Sequence, residues 1–114
     1  LAICLSSVKN FLRSIRGKRV LITFHTRADL DAVGSAIALC RYLKTASIVA
    51  PDQISSAARG LAAHCRQKVF LAQEVDVENF EFFILVDTNS ASLVPISKDL
   101  PGGFDCIIDH HSLR

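Results

Sequence analysis

An α/β fold is predicted for this chain: three layers, α/β/α, with a mostly parallel sheet in the middle. Three observations predict it. Apolar runs of strand length alternate with segments of helical periodicity in the order β-α-β-α-β-β. The crossovers are long enough to hold helices, as parallel neighbours require. The run Phe82-Phe83-Ile84-Leu85-Val86 is continuously apolar, which suits a central strand covered on both faces.

Each element can be justified in turn. Leu5, Val8, Leu12 and Ile15 recur at helical spacing, with Lys9, Arg13 and Arg16 on other faces. Residues 2–16 therefore read as an amphipathic helix stopped by Gly17, and its basic residues read as a solvated face. A strand from Arg19 to Phe24 follows. Val33, Ile37, Cys40 and Leu43 mark the next helix, and Ser47 to Ala50 a short strand ended by a turn at Pro51-Asp52. Ile54, Ala58, Leu61 and Cys65 suggest a second crossover helix, weakened by Gly60. Val69 to Leu71 and Phe82 to Val86 are strands. The segment from Asn89 to Asp99 reads as a helical turn plus a loop broken at Pro95, and Pro101-Gly102-Gly103 turns into a last strand, Phe104 to Ile108.

At 114 residues, half of them hydrophobic and only three proline, the chain is one domain with a real core. Its apolar runs are too short to span a membrane. Its basic residues follow the first apolar ones, the reverse of a secretory signal, so a cytoplasmic protein without a membrane partner is expected. Cys4, Cys40, Cys65 and Cys106 form no C-x-x-C pair, which argues for buried thiols rather than a zinc knuckle or disulfides. A net charge of +2 is too small for a nucleic-acid footprint. Bound metal ions could still supply the attraction for an anionic substrate. The chain has no methionine and stops just after a histidine pair, so the expectation is a piece of a larger protein.

Chemistry concentrates where strands end. His25, Asp29 and Asp31 follow the run Val20 to Phe24, Asp87 follows Val86, and Asp109-His110-His111 follow Ile108. Open α/β sheets bind ligands beyond the carboxyl ends of their strands. Carboxylates with imidazoles, and no paired cysteines, suit a hydrolytic two-metal centre of the manganese or magnesium type. Each residue also has a plain structural reading. Asp31 would complement a helix N-terminus, Asp87 would cap a turn with Thr88, Asn89 and Ser90, and His110 and His111 would lie on the surface. Gly34 and Ser35 read as structural. Unrelated caps would not be expected to gather on one edge, and His64, beside Cys65 within a helical segment, is given no role.

The pattern His-x-x-x-Asp-x-Asp-Ala-x-Gly-Ser (His25 to Ser35), then Asp87-Thr88, then Asp109-His110-His111, resembles the motif order of the DHH phosphoesterase superfamily. That group includes RecJ-type nucleases, oligoribonuclease and phosphoadenosine-phosphate phosphatases, cyclic-dinucleotide phosphodiesterases, exopolyphosphatases and family II pyrophosphatases. The resemblance spans residues 25–111. It implies that His25, Asp29 and Asp87 bind one Mn²⁺ and that Asp31, Asp87 and His110 bind a second, with Asp87 bridging and Mg²⁺ as the alternative ion. It further implies that His111 contacts the substrate phosphate and that Asp109 supports the histidines. Many relatives carry Pro-Asp where Ala28-Asp29 stands here. The family's fourth motif, a further Asp, and its C-terminal substrate-binding domain have no counterpart in these residues. Residues 1–114 are thus expected to be the N-terminal part of a DHH domain, truncated after the third motif and weakly active alone.

The expected reaction is hydrolysis of a phosphodiester, phosphomonoester or phosphoanhydride by a hydroxide shared between two ions. A small phosphorylated molecule or a short oligonucleotide is the expected partner, since Tyr42 is the only tyrosine and there is no Trp to build a long stacking track. Two rivals are a non-catalytic DHH-like scaffold of nucleic-acid machinery and a receiver-type signalling domain. The scaffold reading predicts lost ligands, and all those of the first three motifs are present. The receiver reading leaves His25 and the His110-His111 pair without a purpose.

Overall fold

The computed structural model describes residues 5–24, 30–51, 55–86 and 103–108. In chain order the elements are α1 (Leu5–Ser14), β1 (Val20–Phe24), α2 (Leu30–Leu43), β2 (Ala46–Ala50), α3 (Ser56–His64) and β3 (Val69–Leu71). Two 3-10 turns follow (Ala72–Glu74 and Val77–Asn79), then β4 (Phe82–Val86) and β5 (Cys106–Ile108). The strands form one five-stranded sheet in the order β3-β2-β1-β4-β5, and every described pairing is parallel. The α/β prediction holds, and the boundaries of β3 and β4 match those read from the sequence.

Local chemistry sets the ends of the helices. Gly17 follows α1 at φ +87, a left-handed turn that glycine adopts without a Cβ clash. Beyond α2, Lys44 takes the same region at φ 69 while its N–H bonds the Cys40 carbonyl at 2.9 Å. The Ser55 hydroxyl accepts from the Ala58 N–H at 3.2 Å and caps α3, which supplies one of the partners a helix start lacks. Cys65 caps the far end, so His64 is the exposed last residue of α3 rather than a mid-helix one.

Strand alternation divides the core. Val20, Ile22 and Phe24 of β1, with Ile84 and Val86 of β4, face one side. There they pack on Ile15 beyond α1, Val33, Ile37, Cys40 and Leu43 of α2, and Ala58 of α3. All four residues that marked α2 in the sequence are buried. Phe11 of α1 meets Phe82 edge-to-face at 6.3 Å and lays that helix over β4. Leu21, Val49, Phe83 and Leu85 face the other side against Phe70, Val75, Val77, Phe80 and Phe104. Helices α1 to α3 therefore share one face, and the described cover on the opposite face is the pair of 3-10 turns. The segment from Asn89 to Asp99 lies outside the described residues, as does Cys4. Cys40 and Cys106 are buried and Cys65 is half-buried, all as free thiols. No described helix is long and apolar enough to cross a membrane.

Candidate functional site

The sheet reverses its winding at the β1–β4 pair. From β1 the chain proceeds through α2 to β2 and β3 on one side, whereas β4 leads to β5 on the other. This is a topological switch point, where the crevice beyond the strand ends is open to a ligand. The register makes the edge level there: Phe24 pairs with Val86, and Val86 pairs with Ile108. These three residues form one row across β1, β4 and β5. Each immediately precedes one of the three groups singled out in the sequence, beginning at His25, Asp87 and Asp109.

Contacts at several levels hold that row. At the start of the β1–β4 ladder the Arg19 carbonyl accepts from the Glu81 N–H at 2.8 Å and the Phe82 N–H at 3.3 Å. The Arg19 N–H donates to Glu81 Oε1 at 3.3 Å, and the guanidinium Nε lies 3.5 Å from the same oxygen. The bond from the Arg19 backbone, and the guanidinium beside it, hold the Glu81 carboxyl below its ordinary pKa. At the entry to β5 the Asp105 N–H bonds the Phe83 carbonyl at 2.9 Å, and its carboxylate accepts from the Phe83 N–H at 2.8 Å. That reciprocal pair sets Ile108 level with Val86.

Thr23 is the one buried polar side chain among the described residues. Its Oγ1 donates to the Val49 carbonyl at 2.6 Å, just past the last registered β1–β2 pair, Ile22 with Ile48. The hydroxyl thus ties β1 to β2 two residues before His25. A buried polar group without such a bond would be costly.

Of the residues predicted for the site, Asp31 is described. It is the second residue of α2, in its first turn, and exposed. Among the described residues its carboxylate has no hydrogen-bond or ion-pair partner. His25, Asp29, Asp87, Asp109, His110 and His111 lie outside the described residues. Among those that are described, no group of three or more His, Cys, Asp or Glu could hold a metal ion. The fit of a divalent ion rests on the chemistry of the donors: a free carboxylate at a helix start, with further carboxylates and imidazoles following the levelled strand ends in sequence. Such oxygen and imidazole donors suit manganese or magnesium better than softer ions.

The sequence model of the DHH family, N-terminal domain, matches residues 19–114. It begins at the foot of β1 and leaves α1 outside. No curated protein matches the chain.

Proposed function

The chain belongs to the DHH family, as its N-terminal domain, and from that premise we propose that it is a manganese-dependent phosphoesterase acting on a short oligonucleotide or small nucleotide. Members of the family are in general hydrolytic phosphoesterases that use divalent metals. The observation that best supports the reading is the level row Phe24, Val86 and Ile108. Each residue of that row immediately precedes in sequence one of the three candidate groups, and Asp31 in the first turn of α2 is exposed.

His25, Asp29 and Asp87 are proposed to hold one ion, and Asp31, Asp87 and His110 the other. Mg²⁺ is the alternative to Mn²⁺. When bound, such ions supply Lewis acidity and make water acidic enough to attack phosphorus at neutral pH. The remaining work falls to this chain's own groups. The His111 imidazole would donate to a non-bridging phosphate oxygen and offset charge that grows as the bond breaks. Asp109 would accept from a histidine ring and fix its tautomer. The first turn of α2 would add its partial positive charge near the phosphate.

No covalent intermediate is needed. Cys40 and Cys106 are poor nucleophile candidates, because burial pushes both thiols above their ordinary pKa and disfavours the thiolate. The charge on Asp105 pushes Cys106 further in the same direction.

The test is Asp87→Ala in the intact protein, assayed with Mn²⁺ on a short oligonucleotide and on pyrophosphate. Loss of turnover with the fold retained is expected, because both proposed ion sites would lose a carboxylate ligand. Near-normal turnover would reject the assignment of Asp87 to both ion sites.

A further inference from the structure

Between α1 and α2 lies a groove of about 620 Å³ for which the proposed chemistry has no use. Its floor is Val86 and Ile108, the last described residues of β4 and β5. Leu12 forms part of one wall and Leu39 part of the other, and Lys9 and Arg13 stand along the α1 side. Among the described residues, no acidic residue lines it. Lys9 and Arg13 have no ion-pair partner among the described residues, so the groove is apolar within and cationic along one flank.

The groove shares a helix face with Asp31 of the proposed site. Asp31, Ser35, Ala38 and Tyr42 fall at i, i+4, i+7 and i+11 of α2, which places them on one helix face. All four are exposed. The groove wall therefore begins one turn beyond Asp31. Ser35 to Tyr42 spans about 10 Å at the α-helical rise of ~1.5 Å per residue, roughly the length of one nucleoside. The volume falls within the range of small-molecule sites, about 300–1,000 Å³. At the end far from Asp31, the Arg16 guanidinium lies 4.9 Å from the Tyr42 ring centroid. Arg16 Nε also donates to the Tyr42 carbonyl at 3.1 Å. That contact stands at the Tyr42 end of the groove.

We propose that this groove is a subsite for the part of the substrate remote from the scissile phosphate: a nucleoside whose ring enters between Leu12 and Leu39 and whose own phosphate meets Lys9 and Arg13. The proposal deepens the phosphoesterase reading and rests on it. Charge selects the occupant. An apolar slot flanked by two unpaired cations, with no acid among its described lining residues, accepts a ring-bearing anion and repels a basic one.

The protein is titrated in EDTA with adenosine 5′-monophosphate, and separately with inorganic phosphate, while amide NMR shifts are followed. The mononucleotide is expected to shift Leu12, Ala38, Leu39 and Ile108, and phosphate only residues around Lys9 and Arg13. Ala38→Trp should weaken mononucleotide binding about tenfold, the scale of one lost base contact. Ala57→Trp, at an exposed position on α3, should not. Lys9→Ala with Arg13→Ala should weaken binding and flatten its salt dependence, as lost phosphate contacts do. In the Mn²⁺ assay Ala38→Trp should lower the ratio of kcat/KM for a dinucleotide over pyrophosphate about tenfold, by the same lost contact.

The possible failures separate. Hydrolysis without mononucleotide shifts in the groove, and with an unchanged ratio in Ala38→Trp, overturns the subsite and leaves the phosphoesterase standing. Mononucleotide binding in the groove with no hydrolysis of any phosphate overturns the subsite's role in turnover along with that reading. No shift of Leu12, Ala38, Leu39 or Ile108 with the mononucleotide likewise overturns the subsite.

Discussion

Replacing Asp31 by Asn removes one charge and almost no volume, so it separates the two roles open to this residue. The carboxylate is exposed in the first turn of α2. If it serves only to complement the helix dipole, its contribution is about 0.3–1 kcal/mol. If it binds an ion, the loss lies in what the metal adds. A ligand that binds only the native state stabilises it by about 2.7 kcal/mol at a hundredfold excess over Kd. Unfolding entropy near 2.1 cal/mol/K per residue over 114 residues comes to about 240 cal/mol/K. The dipole role alone would therefore lower Tm by about 4 °C or less, whereas losing the ion would cost about 11 °C of metal-induced stabilisation. Calorimetry of Asp31→Asn in EDTA and in Mn²⁺ reads both quantities. The expected result is a small drop in EDTA, a manganese shift reduced by about 11 °C, and turnover lower by about two orders of magnitude, ~3 kcal/mol of barrier. A full manganese shift with wild-type turnover would show that Asp31 is a helix-start residue and nothing more.

Three further outcomes are expected. Thr23→Val should lower stability by about 1–2 kcal/mol, because the buried Val49 carbonyl loses its donor; Thr23→Ser keeps the bond, and in denaturant melts a valine variant as stable as wild type would show that the bond contributes nothing. Glu81 has a folded pKa below its ordinary value, so its contribution is present above that ordinary value and is lost as pH falls through it towards the folded one. Wild type and Glu81→Gln should therefore converge in stability in acid, and a gap that stays constant across that window would contradict the assignment. Finally, Cys65 should react with a disulfide reagent before Cys40 and Cys106, whose thiols are buried with raised pKa, and mass spectrometry of partly labelled protein gives the order.

Much of this architecture could be read from residue order because burial here follows simple periods. Val33, Ile37, Cys40 and Leu43 mark α2 at helical spacing and all are buried in it. The run from Phe82 to Val86 became β4 with the same ends. The two 3-10 turns escaped notice because local polar contacts make them, with no hydrophobic period to betray them. Glu74 accepts from the Leu71 N–H and Asp76 from the Glu78 N–H.

The candidate site divides in the same way. The strand-end positions could be seen in the sequence, but the level row Phe24, Val86 and Ile108 could not. Its alignment depends on Glu81 reaching Arg19 and Asp105 reaching Phe83, contacts between segments far apart in the chain. Lys9 and Arg13 read as a solvated face for a related reason. A groove between two helices belongs to neither helix's pattern.

The β1–β4 pairing also bears on how the molecule folds. Val20 meets Phe82 only after the whole of α2, β2, α3 and β3 has been threaded between them. Closing so long a loop costs entropy before any contact repays it, and folds dominated by such pairings are slow to form. The ladder starts beside the Arg19–Glu81 contact. Until they do, β1 and β4 are apolar segments with unpaired edges, the kind of surface that recruits other chains. The level row Phe24, Val86 and Ile108 therefore exists only once segments far apart in the chain have met, and a nascent chain interrupted before β4 would have β2 beside β1 but nothing on its other edge.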